Sequence, residues 1–108
     1  MRDWLVTLEA FREGLGREGA TSYTGLRHGT MRVVLLAPRD VNPQTPHAQD
    51  ELYLVRRGSG AFVRDGERRP CSEGDVIFVE AGAEHRFEDF SDAFEAWAVF
   101  WGPEGGEG

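Results

Sequence analysis

The sequence predicts an all-β domain preceded by a short helix. Three observations carry that reading. Between residues 22 and 101, roughly six to eight short β-rich runs recur about every 8–12 residues, the rhythm of an antiparallel sandwich or barrel. Fourteen glycines in 108 residues are nearly twice the roughly 7% average and punctuate those runs with tight turns. Strand and helix patterns do not alternate, which argues against a doubly wound sheet. At 108 residues the chain reads as one domain spanning residues 1–108. A chain of this size buries about 60–70% of its unfolded surface, so a core forms without staples.

The elements follow in order. Residues 3–15 read as an amphipathic helix, with Trp4, Leu8, Phe11 and Leu15 at helical spacing. Asp3 is the candidate cap, and Gly14 and Gly16 are the candidate stops. The barrel is expected over about residues 22–101. Its first well-defined run is Met31–Ala37, stopped by Pro38; Pro38, Pro43 and Pro46 then bracket a loop that cannot join a central ladder. Glu51–Arg56 is the next run, and Ala61–Arg64 ends at the hairpin signal Asp65-Gly66. Val76–Val79, His85–Phe87 and Phe94–Trp101 complete the set. The tail, residues 102–108, has almost no apolar content and is expected to fray.

Charge and composition narrow the partners. Twelve Lys and Arg against nineteen Asp and Glu leave a net charge of −7. Such a chain repels phosphate backbones and anionic membrane surfaces, so neither nucleic acid nor membrane is an expected partner. A single cysteine, Cys71, excludes an internal disulfide and a cysteine-rich zinc site. No apolar run approaches the roughly 20 residues of a membrane span. Asp3 and Glu9 interrupt the opening MRDWLVTLEAF, which does not read as a signal peptide; the expected location is cytoplasmic.

The chemistry rests on histidine. Of His28, His47 and His85, two have informative surroundings. His47 and Glu51 stand four residues apart across a short turn, and His85 follows a strand and a glycine turn. If these segments lie on neighbouring strands of a small barrel, His47, Glu51 and His85 converge inside it. Two imidazoles and one carboxylate make a facial triad for a divalent metal with open positions left for a ligand. A buried Glu51 also needs a metal, a cation or a proton. The alternative is a pairing with Arg86 or Arg32.

These residues resemble the two motifs of the cupin family. His47, Glu51 and Gly58 match the second half of its Gly-x5-His-x-His-x3-4-Glu-x6-Gly motif. Gly74, Gly82 and His85 match its Gly-x5-Pro-x-Gly-x2-His-x3-Asn motif in register, with Glu80 at the proline and Asp89 at the asparagine. Thr45 stands where the family has its first histidine, and Arg39 where it has its opening glycine. Residues 59–73 separate the motifs, a short spacing similar to that of compact bacterial cupins. The motifs cover residues 45–89, and the strand pattern extends the likeness to about 30–101. The resemblance implies a double-stranded β-helix, or jelly-roll, barrel. It also implies a divalent transition metal (iron, manganese, nickel or zinc) on His47, Glu51 and His85.

Around that centre, Thr45, Gln49, Tyr53, Phe78, Phe87 and Trp97 are the candidate pocket residues. Tyr53 shares a strand face with Glu51, as core filler or as a pocket hydroxyl. Asp50 reads as a turn residue, His28 as a surface or edge-strand residue, and Cys71 as an unreactive thiol near a turn. No catalytic residue beyond the metal centre is assigned. The expected function is that of a small metal-dependent enzyme, dioxygenase- or isomerase-like, acting on a small polar molecule. Two alternatives stand beside it: a non-catalytic small-molecule-binding module, and a cupin that has lost its metal. The expected assembly is a homodimer that covers exposed sheet edges.

Overall fold

A computed structural model describes residues 4–18, 20–40, 42 and 46–108. Its elements are a helix, α1 (Leu8–Glu18), and eight strands: β1 (Ser22–His28), β2 (Met31–Leu36), β3 (Asp50–Arg57), β4 (Ser59–Arg64), β5 (Glu67–Ser72), β6 (Val76–Val79), β7 (His85–Glu88) and β8 (Glu95–Trp101). All strand pairs are antiparallel. They form a five-stranded sheet in the order β1-β2-β8-β3-β6 and a three-stranded sheet in the order β5-β4-β7. Val34, Tyr53, Val55, Val79, Ala96 and Ala98 from the first sheet meet Phe62, Cys71 and Phe87 from the second in one buried cluster. This is the expected jelly-roll barrel. No helix among the described residues is long and apolar enough to cross a membrane.

Period-two alternation fixes what faces inward. Register places Arg32 opposite Phe100 and Phe100 opposite Glu51. The next inward rows are Val34–Ala98–Tyr53 and Leu36–Ala96–Val55. The opposite face of the same strands carries Val33, Leu35, Trp97, Val99, Leu52 and Leu54. Both faces of this sheet are therefore apolar. Helix α1 covers part of the outer one, where Phe11, Leu15 and Leu35 are buried against Val33 and Trp97.

The helix departs from its expected bounds. Asp3 lies outside the described residues. Trp4 and Leu5 precede the helix and are exposed. Thr7 caps it instead, its hydroxyl accepting the Ala10 N–H at 3.1 Å. Gly14 does not stop the helix; it is a packing residue. A Cβ there would lie 2.4 Å from the Tyr23 ring, so only glycine lets the helix sit this close to β1. Gly16 also lies within the helix, which ends at Glu18; the Ala20 N–H then closes on the Leu15 carbonyl at 3.2 Å.

Strand β5 went unrecognised in the sequence, because Glu67-Arg68-Arg69-Pro70-Cys71-Ser72 has little β propensity. It forms at the edge of the smaller sheet, paired among the described residues with β4 alone, where a proline is tolerated. Cys71 is buried on it, and burial pushes its thiol pKa up. The Asp65-Gly66 turn adopts positive φ at both positions, +48° and +85°, the left-handed geometry that a two-residue hairpin loop favours. His28 is exposed on the edge strand β1, as expected.

The tail does not fray as expected. The Gly105 N–H donates to the Ala48 carbonyl at 2.7 Å. Asp50 is buried and is not a free turn residue. Its carboxylate accepts the Glu107 N–H at 2.9 Å and the Ala81 N–H at 3.0 Å. Those two bonds hold its pKa below the ordinary value.

Candidate metal centre

Three elements bring the predicted triad together. His47 comes from the loop before β3, Glu51 from the second residue of β3, and His85 from the first residue of β7. The two loops are tied to each other, since the Gly82 N–H donates to the His47 carbonyl at 2.9 Å. Gly82 has a φ of +85°, which a residue with a side chain rarely adopts. That turn sets the direction in which His85 enters the barrel.

The triad is compact. His47 Nε2 lies 2.7 Å and His85 Nε2 3.2 Å from the same oxygen, Glu51 Oε1. All three ligating atoms lie within 4.8 Å of one another. Glu51 is 1% exposed and His85 6%, so water does little to offset the charge. On the far side of each ring, Nδ1 faces a backbone carbonyl: Gln49 O at 2.7 Å for His47 and Ala83 O at 2.9 Å for His85. A carbonyl only accepts, so each Nδ1 carries the proton. In the neutral ring, Nε2 then presents its lone pair towards the carboxylate. Lone pairs on three atoms aimed at one point require a cation between them, either protons on the rings or a metal ion. Metal–ligand bonds of about 2.0–2.2 Å place neighbouring ligand atoms roughly 3 Å apart, close to the two separations between Glu51 and the histidines. Backbone carbonyls fixing the tautomer from behind are the outer support that metal-binding histidines need. The donor set therefore fits a divalent ion.

Electrostatics favour positive charge beside Glu51. Burial lowers the His85 pKa, but the hydrogen bonds to Glu51 and the Ala83 carbonyl and the charge of Glu51 outweigh it, leaving the group above its ordinary value. Glu51 pairs with neither Arg86 nor Arg32 among the described contacts; its partners are the two histidines and the Tyr53 hydroxyl. Tyr53, one row deeper, is buried, and burial together with the Glu51 charge and a hydrogen bond to Glu51 pushes its phenol pKa up.

The triad sits in a cavity of about 240 Å³. Of the sequence-expected pocket residues, Tyr53 lines it. Thr45 lies outside the described residues. Gln49 turns its amide to the Thr30 and Gly102 carbonyls, both at 3.0 Å, and braces the rim. Phe87 lies beneath the pocket, packed at steep ring angles between Phe62 and Phe94 at about 5 Å. Trp97 and Phe78 are corrections to the sequence reading. Trp97 faces the helix, 4.9 Å from Phe11, because it lies one residue out of phase with the inward Ala96, Ala98 and Phe100. Phe78 is half exposed on the outer face near Trp101.

Other lining residues were missed, among them Arg32, Asn42 and Phe100. Asn42 Oδ1 accepts the Phe87 N–H at 2.8 Å, which leaves its NH₂ to donate. Phe100 packs against His47 at 4.9 Å. The sequence signal for this wall was the pair Ala96 and Ala98, small residues that leave space inside the barrel.

Comparison with known proteins gives a consistent result. The family model described as the cupin domain matches residues 32–100. An uncharacterised protein of Streptomyces coelicolor is 37% identical over 81 residues, 73% of this chain and 77% of that protein. The HTH-type transcriptional activator RhaS of Mannheimia succiniciproducens is 32% identical over 56 residues, 52% of this chain but only 21% of the activator. Among solved structures, a cupin 2 conserved barrel domain protein from Salinispora arenicola superposes with a TM-score of 0.64 at 24% identity, covering 75% of this chain and 74% of that one.

Proposed function

The chain belongs to the cupin family, and on that premise we propose that it is a metal-dependent enzyme acting on a small polar molecule in the barrel pocket. His47, Glu51 and His85 would hold one divalent transition metal. The observation that carries this reading is the pair of Nδ1 anchors. Both imidazoles are pinned from behind by backbone carbonyls at 2.7 and 2.9 Å, so both Nε2 atoms are aimed at Glu51. When bound, such an ion supplies a Lewis-acid position that polarises an oxygen of the substrate.

The remaining pocket groups bind and orient. Tyr53 keeps its proton at neutral pH, as its raised pKa requires, and donates it to Glu51, so it steadies that carboxylate and is not a base. Asn42 offers its NH₂. Phe100, Val34, Leu36 and Ala98 give the cavity an apolar wall. Metal content of the untagged protein, measured beside His85→Ala, tests the reading. About one equivalent is expected in the native protein and far less in the variant. No metal in either, after incubation with each ion, would sink it.

One observation favours a second reading, a non-catalytic binding module. Apart from the triad, the only titratable groups among the described lining residues are Arg32, a cation, and Tyr53, whose proton burial and Glu51 hold in place. Saturable binding of a small molecule without turnover would favour that reading.

The proposed assembly is a homodimer. Its support is the outer sheet face beyond the helix, where Val76 and Phe78 are 61% and 50% exposed.

A further inference from the structure

The pocket contains a cation that the triad does not use. Arg32 stands on β2 in the same inward row as Phe100 and Glu51. Its guanidinium carbon lies 4.3 Å from the centre of the Phe100 ring. Arg56, Arg64 and Arg86, the other partly buried arginines, all pair with glutamates. Arg32 is the only partly buried arginine with no carboxylate partner among the described residues. Glu51 lies just across Phe100, but its carboxylate is engaged by the two histidines. The phenyl ring therefore holds the guanidinium on one side of the cavity and the triad on the other.

Resting on the proposed metal-binding pocket, we infer that the ligand is a small organic acid whose carboxylate pairs with Arg32. The charge balance points that way. A divalent ion with one carboxylate and two neutral imidazoles leaves +1, and Arg32 raises the local charge to +2. A guanidinium presents a planar fork of donors that fits an oxyanion. Its seat on Phe100 orders that fork before a ligand arrives. A cavity of about 240 Å³ is below the roughly 300–1,000 Å³ of sites for drug-sized ligands, so the acid has only a few carbons. The Ser22 and Thr24 hydroxyls and the Val34, Leu36 and Ala98 side chains also line the space. A net charge of −7 on the chain disfavours a doubly charged phosphate relative to a monocarboxylate.

The test uses the full chain and three probes of similar size: pyruvate, inorganic phosphate and uncharged propane-1,2-diol. Their binding is followed by calorimetry or NMR titration, with metal content measured on the same samples. Arg32→Gln is expected to keep its metal and to bind pyruvate about tenfold or more weaker, the loss of at least one charge-assisted hydrogen bond. Arg32→Lys keeps the charge without the fork and should fall between the two; it also serves if Arg32→Gln does not fold. Diol binding, where present, should not change. Equal pyruvate affinity in native protein and variants, or no pyruvate binding at millimolar concentrations, would overturn the inference while leaving the metal reading intact. Binding of phosphate but not pyruvate would overturn the carboxylate assignment. Arg32-dependent pyruvate binding in a protein that takes up no metal would uphold Arg32 and refute the metal centre.

Discussion

Replacing Glu51 with glutamine separates the two roles of that side chain. In the metal-free protein the amide can still satisfy its neighbours, because its NH₂ donates to an imidazole lone pair where the carboxylate accepted. The metal-free variant should therefore lose only about 1 kcal/mol. The metal-bound form is different. Glutamine removes the single negative charge from a site where Glu51 is 1% exposed, leaving a buried divalent ion uncompensated. Even outer-shell changes cost 10–100-fold in metal affinity, so loss of the anionic ligand should cost at least about 100-fold. At a free metal concentration 100 times the native Kd, binding stabilises the native fold by about 2.7 kcal/mol. At roughly 4 °C per kcal/mol for a chain of this size, that is a rise in Tm of about 10 °C. The same metal concentration then equals the Kd of the variant and gives it only RT ln 2, about 0.4 kcal/mol or 2 °C. The assay is thermal unfolding followed by circular dichroism, with chelator and with metal. A variant that keeps the full metal-dependent shift would refute the assignment of Glu51 as a ligand.

Three other outcomes follow from the packing and the charges. Gly25→Ala puts a Cβ 2.3 Å from the Phe11 ring, which is wedged between Tyr23 and Trp97; a loss of about 1–3 kcal/mol is expected in urea unfolding, and no loss would mean that the helix shifts freely. Glu95→Gln removes the negative charge from the acceptor that ties Arg12 of α1 and Arg56 of β3 together at 3.1 and 2.7 Å, worth about 2 kcal/mol at pH 7 once the exposed Arg12 arm is discounted. Burial raises the Glu95 pKa, but the two arginines outweigh it and hold it below the ordinary 4.5. Its contribution is therefore present above about pH 4.5 and lost as pH falls through the lower folded value, so the native-to-variant gap should close in acid; a gap of the same size at pH 7 and pH 3 would refute the assignment. Phe78→Asp should convert the proposed dimer to monomer in sedimentation equilibrium; a native protein that sediments as a monomer removes the dimer.

The sequence made part of this centre legible. The spacing of Gly74, Gly82 and His85, and of His47, Glu51 and Gly58, tracks local turns and strand alternation, and both survive in one-dimensional order. The pocket wall was harder to read. Phe94–Trp101 is apolar at nearly every position because its outer face is covered by the helix, so alternation gave no phase and Trp97 could not be told from Ala98. Arg32 looked like a possible partner for Glu51; only the register across β2, β8 and β3 places Phe100 between them. Asp50 read as a turn residue because its partners, Ala81 and Glu107, are 31 and 57 residues away. The same distance hid the anchoring of the tail.

The most direct measurement is an anomalous-difference map from a crystal of the metal-loaded native protein. A single strong peak is expected about 2.0–2.2 Å from His47 Nε2, His85 Nε2 and a Glu51 carboxylate oxygen. A map with no peak there, or with its strongest peak elsewhere on the chain, would contradict the account.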